Sequence, residues 1–238
     1  MEFLKSFFGS SQLFSVAGAN SLFRGHPGRR RVFFMSRLAL FLILALLVSL
    51  ESNAQDADKK IKAFRESYAL ESTGELQKSI EALRSVYDEK SYEINLRLGW
   101  LTYLSGSFIE SISYYNRSIS LMPYAIEPRL GIVNPLAAMG NWDQVMGHYR
   151  KILDTDPNNS LVNYRMGVIY YNREDYVTSH QHLERVVNLY PFDIDGLLML
   201  AWCKYRLRQH REARILFQRA LMHTPDNASA REGLSLVN

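Results

Sequence analysis

Residues 160–193 read SLVNYRMGVIYYNREDYVTSHQHLERVVNLYPFD, two apolar-striped segments joined at NRED and closed by Pro191. The same design recurs on both sides of it: Pro123, Pro157, Pro191 and Pro225 stand 34 residues apart. Small residues keep the register, with Gly99, Gly167 and Ala201 in the first segments and Ser111, Ser179 and Ala213 in the second. Bulky residues follow the turn at Phe108, Trp142 and Tyr176, and fill a slot seven residues later at Tyr115, Tyr149, Leu183 and Phe217. Ile119, Leu153, Val187 and Leu221 come just before the prolines. At helical spacing, a small side chain on one helix receives a bulky one from its neighbour. Proline then ends the second helix, because it lacks an amide hydrogen and clashes with the preceding turn. A fixed period of this length predicts an all-α stack of helix–turn–helix units instead of one central core. Such stacks build a curved surface that holds another molecule, and they rarely do chemistry.

These residues resemble the tetratricopeptide repeat. The resemblance implies a right-handed superhelical solenoid of five repeats, at 60–91, 92–125, 126–159, 160–193 and 194–227, about seventy per cent of the chain. The first is two residues short, judged from the spacing of Gly74 to Gly106. It carries Ser91 in the proline slot and Ser67, Ser79 and Val86 at the small positions. The third departs most, with Val133 and Val145 where small residues are usual and Pro135 inside its first helix. An interior proline removes one backbone hydrogen bond and pushes on the turn before it. That predicts a kink or short interruption between Gly131 and Leu136, displacing Asn134. Pro128 suits the opening turn of the same helix, where an amide would go unpaired. Residues 228–238, with Ala230, Leu234 and Leu236, read as a helix capping the last repeat's apolar edge.

The N-terminus has a different character. Leu38 to Leu50 is a run of thirteen residues, apolar except for Ser49, preceded by Arg37 and followed by Ser52-Asn53-Ala54. That is the order of a secretory signal peptide. Translation is expected to start at Met35, so that residues 1–34 are an upstream extension, 35–54 the leader with cleavage after Ala54, and 55–59 a polar lead-in. Two further readings stand beside this one. From Val32 the apolar stretch approaches the ~20 residues that span a bilayer, and Arg29, Arg30 and Arg31 on its near side would orient an uncleaved anchor with the repeats outside. Arg30-Arg31-Val32-Phe33-Phe34 also resembles the twin-arginine export signal. All three place the repeats across a membrane, in the periplasm or outside the cell. Lys5, Arg24, Arg29, Arg30, Arg31 and Arg37 against Glu2 and Glu51 give residues 1–54 a balance of +4, which leaves 22 basic and 22 acidic side chains in the rest. A neutral repeat region argues against a general nucleic-acid binder, whose affinity comes from phosphate neutralisation.

Motifs for chemistry are absent: there is no glycine-rich phosphate loop, no paired-cysteine metal spacing and no nucleophile signature. No cofactor or metal is expected, and the chain does not read as an enzyme. His180 and His182 lie two apart, on different helical faces, and read as surface histidines. Asp154, Asp156, Asp193 and Asp195 fall in inter-repeat turns, where aspartate caps helices. Asn158, Asn159 and Ser160 read as the same turn chemistry. Lone Cys203 reads as a small buried residue. Arg206, Arg208, His210, Arg211 and Arg214 surround the last turn and read first as a solvated face, with docking of an acidic partner or anionic lipid as the functional alternative.

The resemblance also implies that first helices line a concave face. Its inward slots hold Phe64, Tyr68, Leu96, Trp100, Tyr103, Asn134, Tyr164, Tyr171, Trp202, Tyr205 and Arg206. Aromatic rings with polar tips are typical anchors of binding surfaces, although the tryptophans serve equally well as packing between repeats. Binding energy is expected to concentrate on Trp100, Tyr103, Tyr164, Tyr171, Trp202 and Tyr205. The family's carboxylate clamp needs lysines that this chain lacks, for Leu130 and Asp195 stand in their slots and only Asn134 matches. The expected function is a non-enzymatic exported scaffold that binds a protein or peptide segment in the cell envelope. A membrane-anchored subunit of an envelope complex and a glycan-recognising domain are the alternatives.

Overall fold

The computed structural model describes residues 55–237, so the expected upstream extension, leader and cleavage site lie outside the described residues. Eleven helices and no strand are found among the described residues. They are α1 (residues 55–72), α2 (Leu76–Arg84), α3 (Tyr92–Leu104), α4 (Phe108–Leu121), α5 (Glu127–Ala138), α6 (Trp142–Thr155), α7 (Ser160–Asn172), α8 (Tyr176–Leu189), α9 (Ile194–Arg206), α10 (His210–His223) and α11 (Ala228–Leu236). From α2 onward each helix packs against the next, and α3 also meets α5, α7 meets α9, and α9 meets α11. None of the described helices is long and apolar enough to cross a membrane.

The turn inside each pair is the same device repeated. One left-handed residue, Gly74, Gly106, Gly140, Glu174 or Arg208, has φ between 59 and 80°. The next amide donates back to a carbonyl five residues earlier: Glu75 to Leu70 (2.8 Å), Ser107 to Thr102 (2.8 Å), Asn141 to Leu136 (2.9 Å), Asp175 to Tyr170 (3.0 Å) and Gln209 to Lys204 (2.9 Å). This satisfies carbonyls that a helix end leaves without partners. The second helices then open without delay.

Close approach inside a pair rests on the small residues. The hydroxyls of Ser79, Ser111 and Ser179 donate to the carbonyls of Ser67 (2.8 Å), Gly99 (2.6 Å) and Gly167 (2.8 Å), each twelve residues earlier. In the third pair the buried Val133 and Val145 replace this bond with an apolar contact. The bulky slot fills the hole beside it. The Tyr115 ring lies against both Gly99 and Gly131, and Leu183 against Gly167; an added Cβ would collide at Gly131 and Gly167 and be tight at Gly99.

Connections between pairs are tied by a second device. Asn95, Arg129, Asn163 and Arg231 each donate a side-chain N–H to a carbonyl six residues back, those of Glu89, Pro123, Pro157 and Pro225, at 3.0 Å. Side-chain caps follow at Ser91, Asn159, Asp193 and Asn227, and Asp175 caps α8. Asp156 accepts the Asn158 amide in the preceding turn, whereas Asp154 pairs with Lys151 at 3.3 Å.

Helix α5 corrects one expectation. It runs unbroken from Glu127 to Ala138 through Pro135, so the interruption expected between Gly131 and Leu136 is not there. Pro135 falls in the last turn, where a single hydrogen bond is lost. Its ring is buried together with Ile132, Val133 and Leu136, which hold that turn against α6 and α4. Pro128 lies in the opening turn. The core is an extended row: one cluster around Leu83, Leu98 and Leu101, a second around Tyr115, Ile132 and Tyr149, and a third around Leu200 and Phe217.

Candidate functional site

A cleft opens on the first-helix face between α1, α3 and α5. Its walls are Phe64, Tyr68, Tyr92, Leu96 and Trp100, and Tyr115 and Gly131 lie at its base. Helical spacing explains the convergence, because residues three and four apart share one face. Leu96 and Trp100 stack on α3 with Tyr92 and Arg97 beside them.

Two expected residues meet here. Trp100 is 36 % exposed, and its indole N–H donates to Glu71 Oε1 at 2.7 Å. The Tyr68 ring carries the Arg97 guanidinium on its face, 3.9 Å from the centroid, a cation–π contact. Arg97 donates to the other Glu71 oxygen at 2.5 Å. Glu71 therefore bridges α1 to α3. Burial works to raise its pKa, but the hydrogen bonds from Trp100 and Arg97 and the Arg97 charge prevail and hold it below the usual carboxylate range. At the other wall Tyr92 donates to Glu127 at 3.2 Å. Its phenol is pushed up to about 12, by burial first and then by the charges of Glu127 and Glu93.

The remaining expected residues fall into separate groups. Tyr103 lies 5.8 Å from Trp100 and 6.1 Å from Phe108, at the edge of the cleft. Asn134 is half-buried on α5 and does not line the cleft. Tyr164 lines a second cleft with Leu161, Tyr190, Asp193 and Asp195. Tyr171 meets Tyr176 edge-on at 5.3 Å, and Arg206 lies over the same Tyr176 at 4.7 Å while pairing with Glu174 at 3.9 Å. Trp202 and Tyr205 meet edge-on at 5.7 Å. The Trp202 indole N–H is already given to Ser229 of α11 at 2.8 Å, and its ring packs on Phe217 at 5.1 Å. Trp202 thus ties the terminal helix to the stack.

Residues that the sequence reading passed over are the charged ones. Arg97 and Glu71 are not among the expected site residues, yet Arg97 is only 8 % exposed and pairs with Glu71. Their signal was spacing, for Glu71 is one turn beyond Tyr68, and Arg97 one turn before Trp100. His182 also departs from the surface reading. Its Nδ1 lies 2.9 Å from Asn163 Oδ1, its ring stacks on Tyr170, and burial lowers its pKa. His180 lies 3.5 Å from Glu184 on its own helix. Cys203 is buried, with its Sγ 3.1 Å from the Tyr176 carbonyl. Within the basic cluster, Arg214 is spent on the Val237 carbonyl.

A first-helix face over tight helix pairs, turned by one recurring motif, is a helical solenoid with the fold of tetratricopeptide-repeat proteins. Residues 195–221 match the family model described as tetratricopeptide repeat. Protein CTR9 homolog of Arabidopsis thaliana is 27% identical over 132 residues, which are 55% of this chain and 12% of that protein, so the chain spans about an eighth of that relative. Among solved structures, a tetratricopeptide repeat protein from Parabacteroides merdae superposes with a TM-score of 0.65 at 16% identity, over 76% of this chain and 72% of the other. MamA from Desulfovibrio magneticus gives 0.61 at 14%, over 72% and 98%. YrrB, a TPR protein with an unusual peptide-binding site, gives 0.59 at 11%, over 74% and 92%. At these identities the likeness is one of fold.

Proposed function

We propose that the chain is a non-enzymatic scaffold that holds a protein or peptide segment along its first-helix face, and that it works after export. The observation that carries this reading is the open aromatic cleft at Tyr68, Tyr92 and Trp100. Its rings are fixed by hydrogen bonds and packing before any partner arrives, so binding orders few side chains, which is where affinity is usually lost. The peptide-binding site of YrrB, on the same fold, supports the assignment to a peptide. Export rests on the order Arg37, Leu38–Leu50, Ser52-Asn53-Ala54.

A photo-reactive side chain at position 103, beside the cleft, should crosslink a partner protein in the cell of origin. The same group at Ser113, on the exposed side of α4, should not. Crosslinking from position 113 alone would move the interface to the second-helix face. Export predicts that the purified protein begins at Gln55 by N-terminal sequencing. A chain beginning at Met1 or Met35 would instead support the anchor.

A further inference from the structure

The cleft has a charge as well as a shape. Glu93 and Glu127 line it, and neither makes an ion pair among the described residues; each accepts only a hydroxyl hydrogen bond, from Ser91 at 3.0 Å and Tyr92 at 3.2 Å. Arg97 is the cation on its lining, and Glu71 already neutralises it. The site therefore carries two negative charges without an ion-pair partner beside aromatic faces. Such an arrangement attracts a cationic side chain twice, through the carboxylates and through the ring quadrupoles. The Tyr68 face already shows this chemistry, since it holds the Arg97 guanidinium.

The pattern continues two helix pairs further on. There Tyr164 shares a cleft with Asp193 and Asp195; Asp193 is used to cap α9, and Asp195 has no ion-pair partner. The Tyr164 phenol is raised by burial and then by these two aspartates.

We infer that the first-helix face selects an extended peptide segment bearing Lys or Arg, with one cationic side chain seated between Glu93 and Glu127 against Tyr92 and Trp100, and a second near Asp195. This rests on the reading of the groove as a peptide site and adds the sign of the charge. The same charges disfavour a polyanion on this face.

The test is selection of random dodecapeptides, displayed on phage, against the full chain at 50 mM and 300 mM salt. Lys and Arg should be enriched at least three-fold over the unselected pool, with weaker enrichment at the higher salt. Changing Glu93→Gln and Glu127→Gln together should remove the enrichment and weaken a selected peptide at least ten-fold by fluorescence polarisation. The control Glu81→Gln with Glu89→Gln, exposed and away from the cleft, should leave both unchanged. Circular dichroism would confirm that all variants fold. Selected peptides without basic enrichment, or enrichment that survives the Glu93 and Glu127 changes, would overturn the charge assignment and leave the groove reading intact. Selection of no peptide would overturn both.

Discussion

At the scale of single residues, the five turns show how one backbone requirement meets different side chains. Gly74, Gly106 and Gly140 take the left-handed conformation freely, whereas Glu174 and Arg208 hold it at φ 63° and 59°. An L-residue there pays roughly 1–2 kcal/mol, offset in part by its lower entropy in the unfolded chain. Arg208→Gly should therefore raise stability by about 0.5–1 kcal/mol, and Gly106→Ala should lower it by a similar amount. Urea titration followed by circular dichroism would check both, and a destabilised Arg208→Gly would mean that the arginine side chain offsets the strain. These turns were legible beforehand only where glycine marked them. Glu174 and Arg208 occupy the same register without any compositional sign, and only the 34-residue spacing points to them.

At the scale of helices, a glycine's meaning depends on what faces it. An added Cβ at Gly131 would fall 2.3 Å from the Tyr115 ring, and at Gly233 2.2 Å from Phe217, whereas at Gly147 it would meet nothing within 4 Å. Overpacking of this kind costs about 1–3 kcal/mol. Gly→Ala in an open helical position stabilises by about 0.5–1 kcal/mol. Gly131→Ala and Gly233→Ala should thus lower the midpoint of unfolding and Gly147→Ala should raise it. Equal effects at the three sites would contradict the packing described. The small-and-bulky code was readable in the sequence because it repeats. The unbroken α5 was not, because Pro135 loses one local hydrogen bond in a last turn that is held by burial against other helices. Nor was the Glu71–Arg97–Tyr68 junction, since charged side chains on a helix ordinarily point to solvent and only the meeting of α1 with α3 buries this pair.

At the scale of the whole described region, contacts run only between near neighbours, so stability is a sum over units and their interfaces. The C-terminal end depends on α11, which covers Phe217 with Gly233 and Ala230 and receives the Trp202 indole through Ser229. A chain ending at Pro225 should leave Trp202 and Phe217 wet. Amide exchange should then speed up in α9 and α10 while α3 and α4 stay protected, a graded loss expected when local units open separately. Uniform loss of protection would show that the array unfolds as one body.

Tyr115 also has a mechanical role. One ring is gripped by Gly99 on α3 and Gly131 on α5, and its other side forms the base of the cleft between them. It acts as a shim: the thickness of a single aromatic ring sets the gap between two neighbouring first helices, and so the jaw width offered to a guest. On α8 the same slot holds Leu183, which packs against Gly167 of α7 and has another shape. The same slot thus spaces the first helices with a ring in one unit and an aliphatic side chain in another.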